Sequence, residues 1–236
     1  PIRLPMPSPP QHRDVNLEVV SIDDSISSVG GVLSDSKGRV LALWSSFHRD
    51  EGDSSGASFR GLPTEALGLL PAPFPGSTRE EARLLGAELG LVRIADAREL
   101  GLPQDRADVL EARDPDRKQV LLVSRLYAGF PAAEVLQGGD LVLSANGDPV
   151  TRFLALERAA QAPSVRLEVL RDGAVMTVEV ETMPVSGQGI DRAVLWAGAL
   201  LHEPHPEVAF QRGRASEGIY VSWYWYGSPA YRYGLR

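Results

Sequence analysis

Two stretches of this sequence bring together residue types that could do chemistry. Gly52-Asp53-Ser54-Ser55-Gly56 fits the Gly-x-Ser-x-Gly pattern of a nucleophile elbow, with His48 near enough in sequence to act as a base. An elbow needs a buried strand before the serine and a helix after it. Phe47 to Glu51 and Ala57 to Arg60 supply neither, so 48–58 reads as a polar surface loop rather than a hydrolase site built on Ser54. His202-Glu203-Pro204-His205-Pro206-Glu207 sets two histidines and two carboxylates in a short span, donors suited to zinc or nickel. Its prolines oppose helical ligand spacing, and ligands from a single extended loop rarely close a tetrahedral site. No metal and no cofactor is expected.

The elements that would position any site are short strands and short helices. Leu17 to Ile22 reads as a strand, and Val32-Leu33, a turn at Ser34 to Gly38 and Arg39 to Phe47 read as a hairpin with a buried second arm. Pro71-Ala72-Pro73-Phe74-Pro75 marks a boundary, as the prolines of Pro1 to Pro10 mark an extended arm. Beyond the boundary come a strand entered from Leu84-Leu85-Gly86-Ala87-Glu88-Leu89, a helical turn at Ile94 to Leu100, and strands at Val120 to Leu126 and Leu141 to Ala145. The Asn146-Gly147 turn, a helix over Phe153 to Gln161, and a hairpin of Val165 to Leu170 with Ala174 to Val180 complete the unit. The fold class is mainly β with short helices, an α+β sandwich with two short helices in its middle unit.

Composition narrows the partners. A net charge of −7 is unsuited to nucleic acid, whose binding needs clustered Lys and Arg. No apolar run approaches the roughly 20 residues of a membrane span, and the first residues do not form a secretory signal, so a soluble chain without a leader is expected. The absence of cysteine excludes disulfides, thiolate metal sites and a Cys nucleophile. Twenty-two of the 24 basic residues are arginine, a mark of coding composition rather than of function.

The chain also resembles itself. Val123-Ser124, Gly129, Pro131 and Ala132 recur at one offset as Val221-Ser222, Gly227, Pro229 and Ala230, and Leu85-Gly86-Ala87 has a counterpart in Ala197-Gly198-Ala199 at a longer offset. The first copy therefore carries extra residues around Ala97 to Asp116. In the second, Ile219, Val221, Trp223 and Trp225 share one strand face, and core packing is the expected role of that stripe.

At this point the sequence resembles the HtrA/Deg-type serine proteases, in particular the large members with two protease units and several PDZ modules. Arg83 to Leu89 looks like the family's carboxylate-binding loop and edge strand. Gly129-Phe130-Pro131-Ala132, Gly139-Asp140 and Asn146-Gly147-Asp148-Pro149-Val150 look like its ordered motif series, and Gly227-Ser228-Pro229-Ala230 repeats the first of these. The resemblance implies three parts: the end of a degenerate trypsin-like barrel over 1–75, a PDZ module over 76–184, and the first half of a second PDZ module over 185–236. Val29, in Ser28-Val29-Gly30-Gly31, stands where active relatives carry the nucleophilic serine, and valine can neither attack a carbonyl nor share a proton.

The implied function is recognition of C-terminal or unfolded peptides by strand addition, in the non-catalytic part of an endopeptidase of protein quality control or regulated proteolysis. Leu84, Leu85, Gly86, Ala87, Glu88 and Leu89 would form the carboxylate loop and edge strand. Small residues at Gly86 and Ala87 would let a ligand backbone approach, and Phe153 and Leu156 would line the pocket for the last side chain. Implied partners are peptide or unfolded protein segments. A scaffold reading instead calls for a homo-oligomer or an upstream protease unit. The compartment stays open, with a cell envelope or periplasm the setting if the chain is bacterial.

Overall fold

The computed structural model describes residues 15–22, 30–51, 54–69, 81–185, 192–204 and 218–235. The first unit is an antiparallel sheet in the order β1 (Val32–Ser34), β2 (Val40–Glu51), β3 (Ser54–Pro63), followed by a 3-10 turn at Thr64–Leu69. The Asp35 carboxylate makes the β1–β2 turn by accepting the N–H groups of Lys37 at 2.9 Å and Arg39 at 3.0 Å. Ala42, Trp44 and Phe47 of β2 are buried, as expected of the second arm.

Two expectations change here. Residues 48–51 and 54–58 are strand rather than loop: β2 and β3 stay in register from Ala42 opposite Pro63 out to Glu51 opposite Ser54. Ladder bonds come from backbone, so a polar, Gly/Ser-rich ribbon pairs when its inner end is anchored in a core. Leu17 to Ile22 forms no strand. It meets the sheet at the bridge of Val20 to Gly61, where a Cβ on the glycine would lie 2.9 Å from the Ala42 side chain and 3.3 Å from that of Val20, and at Ser21, whose hydroxyl accepts from Arg60 at 2.8 Å.

The middle unit is a sheet in the order β10-β9-β7-β6-β5, with the two-residue β8 (Asp148–Pro149) paired to β7. Its strands are β5 (Ala87–Arg93), β6 (Gln119–Leu126), β7 (Leu141–Ala145), β9 (Ser164–Arg171) and β10 (Ala174–Glu181). β4 (Ala82–Leu84) pairs apart from it with β11 (Met183–Val185). Helices α1 (Ile94–Glu99), α2 (Gln104–Arg113), α3 (Ala132–Val135) and α4 (Phe153–Ala159) complete the unit, two more than the sequence pattern foretold. The extra residues of the first copy are largely α2. It escaped the periodic reading because it buries only Ala107 and Leu110 and half of its ten residues are charged.

Two cores flank the sheet. Leu121, Val123, Val142, Val165 and Leu167 pack with Leu156 of α4, while Val120, Leu141, Leu143 and Leu170 pack with Ile94, Ala97 and Leu110 of α1 and α2. Asn146-Gly147 and Asp172-Gly173 all have positive φ, the type I′ geometry that matches strand twist. The Gly139-Asp140 corner is held by a buried pair: Arg171 donates through Nε to Asp140 Oδ1 at 2.7 Å and through Nη2 to Oδ2 at 2.6 Å. Asp140 also accepts the Gln137 N–H, so its lone pairs are satisfied.

The last described residues form a sheet in the order β12 (Ala193–Trp196), β13 (Ala199–His202), β14 (Tyr220–Tyr224), followed by α5 (Pro229–Arg232) with Ser228 as its cap. Contacts of the middle unit reappear in it. Tyr127 N–H bonds to the Gly86 carbonyl, and Trp225 N–H bonds to that of Gly198. A Cβ on Gly86 would strike Phe130, and one on Gly198 would strike Ser228. The aromatic stripe is only partly core: Val221, Trp223 and Trp225 are half-buried, while Ile219 is exposed.

Candidate functional site

β5 is the outer strand of the middle sheet, so one row of its backbone groups faces away from β6. α4 lies alongside, its Leu156 buried in the same core as Leu85, Ala87 and Leu89 of the loop and strand. Of the eight residues singled out from sequence, Leu85, Ala87, Leu89 and Leu156 share one buried core, Phe153 packs partly buried on it from α4, and Leu84 ends β4 just before the loop. Glu88 pairs with Arg125 of β6.

The loop is built by Gly86, with φ of 84°. A Cβ there would lie 2.4 to 2.6 Å from three atoms of Phe130. Glycine is therefore required by the backbone and by the packing of Phe130. The N–H groups of Leu85 and Gly86 have no hydrogen-bond partner among the described residues. The entrance is fixed by Gln161, which accepts from Arg83 N–H at 3.0 Å and donates to Arg83 O at 2.7 Å, and by the Arg83 guanidinium on Thr182.

Residues of the first unit reach between β5 and α4, and nothing in the sequence announced them. Asn16 donates through Nδ2 to Ala87 O at 2.8 Å and to Glu157 Oε1 at 2.8 Å, while its Oδ1 accepts the Leu89 N–H at 2.8 Å. One side-chain amide thus spans from β5 to α4. Glu18 Oε2 accepts the Leu154 N–H at 3.0 Å, satisfying an early donor of α4, whose own N-cap Arg152 offers no side-chain bond. Arg152 lies 3.8 Å from Glu18 and 2.6 Å from Glu65, and Arg158 donates to the Glu65 carbonyl. The bond from Arg152 holds the Glu65 carboxyl below its usual range.

Glu157 is the unusual group. Burial, with repulsion from Glu18 adding to it and the bond from Asn16 opposing it, pushes its carboxyl up to about 7. A carboxyl so placed titrates near neutrality, directly beneath the Asn16 amide.

The catalytic alternatives find no support in geometry. Ser54 opens β3 opposite Glu51 in a hairpin, with no helix after it, so the elbow is absent. Val29 lies outside the described residues, as do His205 and Glu207. His202 is buried, with Nδ1 donating to the Glu203 carbonyl at 2.7 Å and its ring edge-on to Tyr220, which is a packing role. Among the described residues no metal-binding cluster occurs and no helix is long and apolar enough to cross a membrane.

No family model matches the sequence. The chain is 34% identical over 255 residues to Protease Do-like 7 of Arabidopsis thaliana, covering 96% of the chain and 23% of that protein. It is 31% identical over 237 residues to a PDZ domain-containing protein of Schizosaccharomyces pombe, covering 98% of the chain and 23% of the relative. To the pro-apoptotic serine protease nma111 of Aspergillus oryzae it is 31% identical over 237 residues, again 23% of the relative's length. A solved HtrA-type protease, AlgW, with a decapeptide overlays 66% of the chain and 45% of its own at 21% identity and a TM-score of 0.38, an overlay too loose to decide anything. The chain spans under a quarter of the length of these curated relatives, and by its sequence it belongs, as a relative of that stretch, to the HtrA/Deg-type family.

Proposed function

We propose that residues 76–184 are a peptide-binding PDZ module in the non-catalytic part of an HtrA/Deg-like protease. The observation that carries the reading is the pairing of an outer strand, β5, with a preceding loop whose Leu85 and Gly86 N–H groups are unpaired among the described residues. A peptide entering the groove adds a strand to β5, its terminal carboxylate accepts from those two N–H groups, and its last side chain meets Leu84, Leu89, Phe153 and Leu156. Affinity should be on the order of micromolar, since strand-type hydrogen bonds net about 1 kcal/mol each.

In this reading 1–75 belongs to a degenerate trypsin-like unit with Val29 at the nucleophile's place, and 185–236 carries the opening elements of a second PDZ module. The glycine contacts shared by Gly86 and Gly198 support the latter. Proteolysis belongs to other parts of the parent protein.

Titration with an apolar oligopeptide ending in valine, as free acid and as amide, tests the module. The free acid should bind and the amide bind at least about tenfold more weakly, a loss of about 1.4 kcal/mol. Equal binding of both forms overturns carboxylate recognition.

A further inference from the structure

We propose that residues 15–18 act as an internal competitor for the peptide groove, with the Asn16 amide in the place of a ligand's peptide group and Glu18 pinning the segment to α4. The inference rests on reading the groove as a peptide site and adds that the site is closed by the chain itself.

Ala87 and Leu89 are two apart on a strand, so the carbonyl of one and the N–H of the other face the same way. An incoming strand would pair with these outward groups, and both are taken by Asn16. A primary amide offers the same C=O and N–H as a peptide bond, so the mimicry is chemical as well as spatial. The second Nδ2 hydrogen goes to Glu157 on α4, so Asn16 bridges the groove from wall to wall and a peptide cannot share it. Asn16 sits at φ of 54°, a left-handed conformation that asparagine adopts more readily than most residues.

The closure can be undone. It depends on one side-chain amide, one carboxylate at Leu154, and the Arg152 contacts to Glu18 and Glu65. A groove open about a tenth of the time binds peptide about tenfold more weakly than its intrinsic affinity, so freeing it restores that factor.

The test compares wild type with Asn16→Ala in the full chain, reading affinity for the valine-ending free-acid peptide and hydrogen exchange of the Leu89 amide. Self-closure predicts that Asn16→Ala binds about tenfold tighter and exchanges Leu89 faster. Equal affinities with unchanged Leu89 exchange would overturn it while leaving the peptide reading intact. Faster exchange with no binding by either protein would keep the self-closure and sink the peptide reading. Asn16→Asp keeps an acceptor for Leu89 N–H, loses both donors and sets a negative charge beside Glu157 and Glu18. It should open the groove in the same way, which keeps the test decisive if the alanine variant folds poorly.

Discussion

β5 and β13 begin alike and end up covered in different ways. Each follows a two-residue connection ending in a positive-φ glycine, Leu85-Gly86 before β5 and Ala197-Gly198 before β13. At Ala197 φ is 50°, so both connecting residues are left-handed, the type I′ requirement, and β12 folds back to pair with β13 along its length. Leu85 is buried and is not left-handed, so β4 leaves its neighbour, pairs with β11, and exposes loop N–H groups in front of an outer strand. The dihedral of one residue thus separates an edge sealed by a hairpin from an edge held by the single side chain of Asn16. A sealed edge is structure, whereas a pinned edge can be exchanged for a ligand.

The most severe way to break the comparison is at its glycines. Gly86→Ala should cost about 3 kcal/mol or more, because a left-handed alanine must also displace buried Phe130. Gly198→Ala meets the Cβ of half-buried Ser228 and should cost about half as much, on the order of 1–2 kcal/mol. Thermal or denaturant unfolding of the two variants checks the order, and a larger loss at Gly198 would contradict it.

Glu157 sharpens the contrast through pH. Burial in the folded protein pushes its carboxyl from 4.5 up to about 7. The stability this group contributes is therefore fully present below the lower value and is lost as pH rises through the upper one. Thermal unfolding of the wild type should show stability falling between about pH 5 and about pH 8, and Glu157→Gln should flatten that dependence. A fall of equal size in both proteins would place the titration elsewhere.

The smallest effect is expected at Ala197. Glycine there relieves a left-handed alanine and should stabilise the β12–β13 hairpin by about 0.5–1 kcal/mol, seen as slower exchange of the paired Leu195 and Leu200 amides. Faster exchange would mean that the turn is not what holds β12 in place.

Much of this arrangement was legible beforehand because its signals are local. Asn146-Gly147 and Arg171-Asp172-Gly173 encode their turns in adjacent residues, and Phe153 to Gln161 shows a helical apolar face. The Gly139-Asp140 motif was visible, but its reason, the bidentate grip of Arg171, lies 31 residues away. α2 was missed because two buried side chains among charges give little periodicity. The hairpin reach of β2 and β3 was missed because backbone pairing leaves no mark on a polar composition. Asn16 was missed for the strongest reason: its partners are 71, 73 and 141 positions away, and a lone asparagine after Asp14-Val15 has no pattern to join.

The most direct measurement of the central claim is a nuclear magnetic resonance titration of the isotope-labelled chain with the valine-ending free-acid peptide. Binding should shift the Leu85, Gly86 and Leu89 amides and, in the same concentration range, release the Asn16 side-chain amide to the signal of a solvent-exposed asparagine. Shifts confined to other surfaces, or shifts at Leu85 to Leu89 with the Asn16 amide unmoved, would contradict a groove that peptide and chain contest.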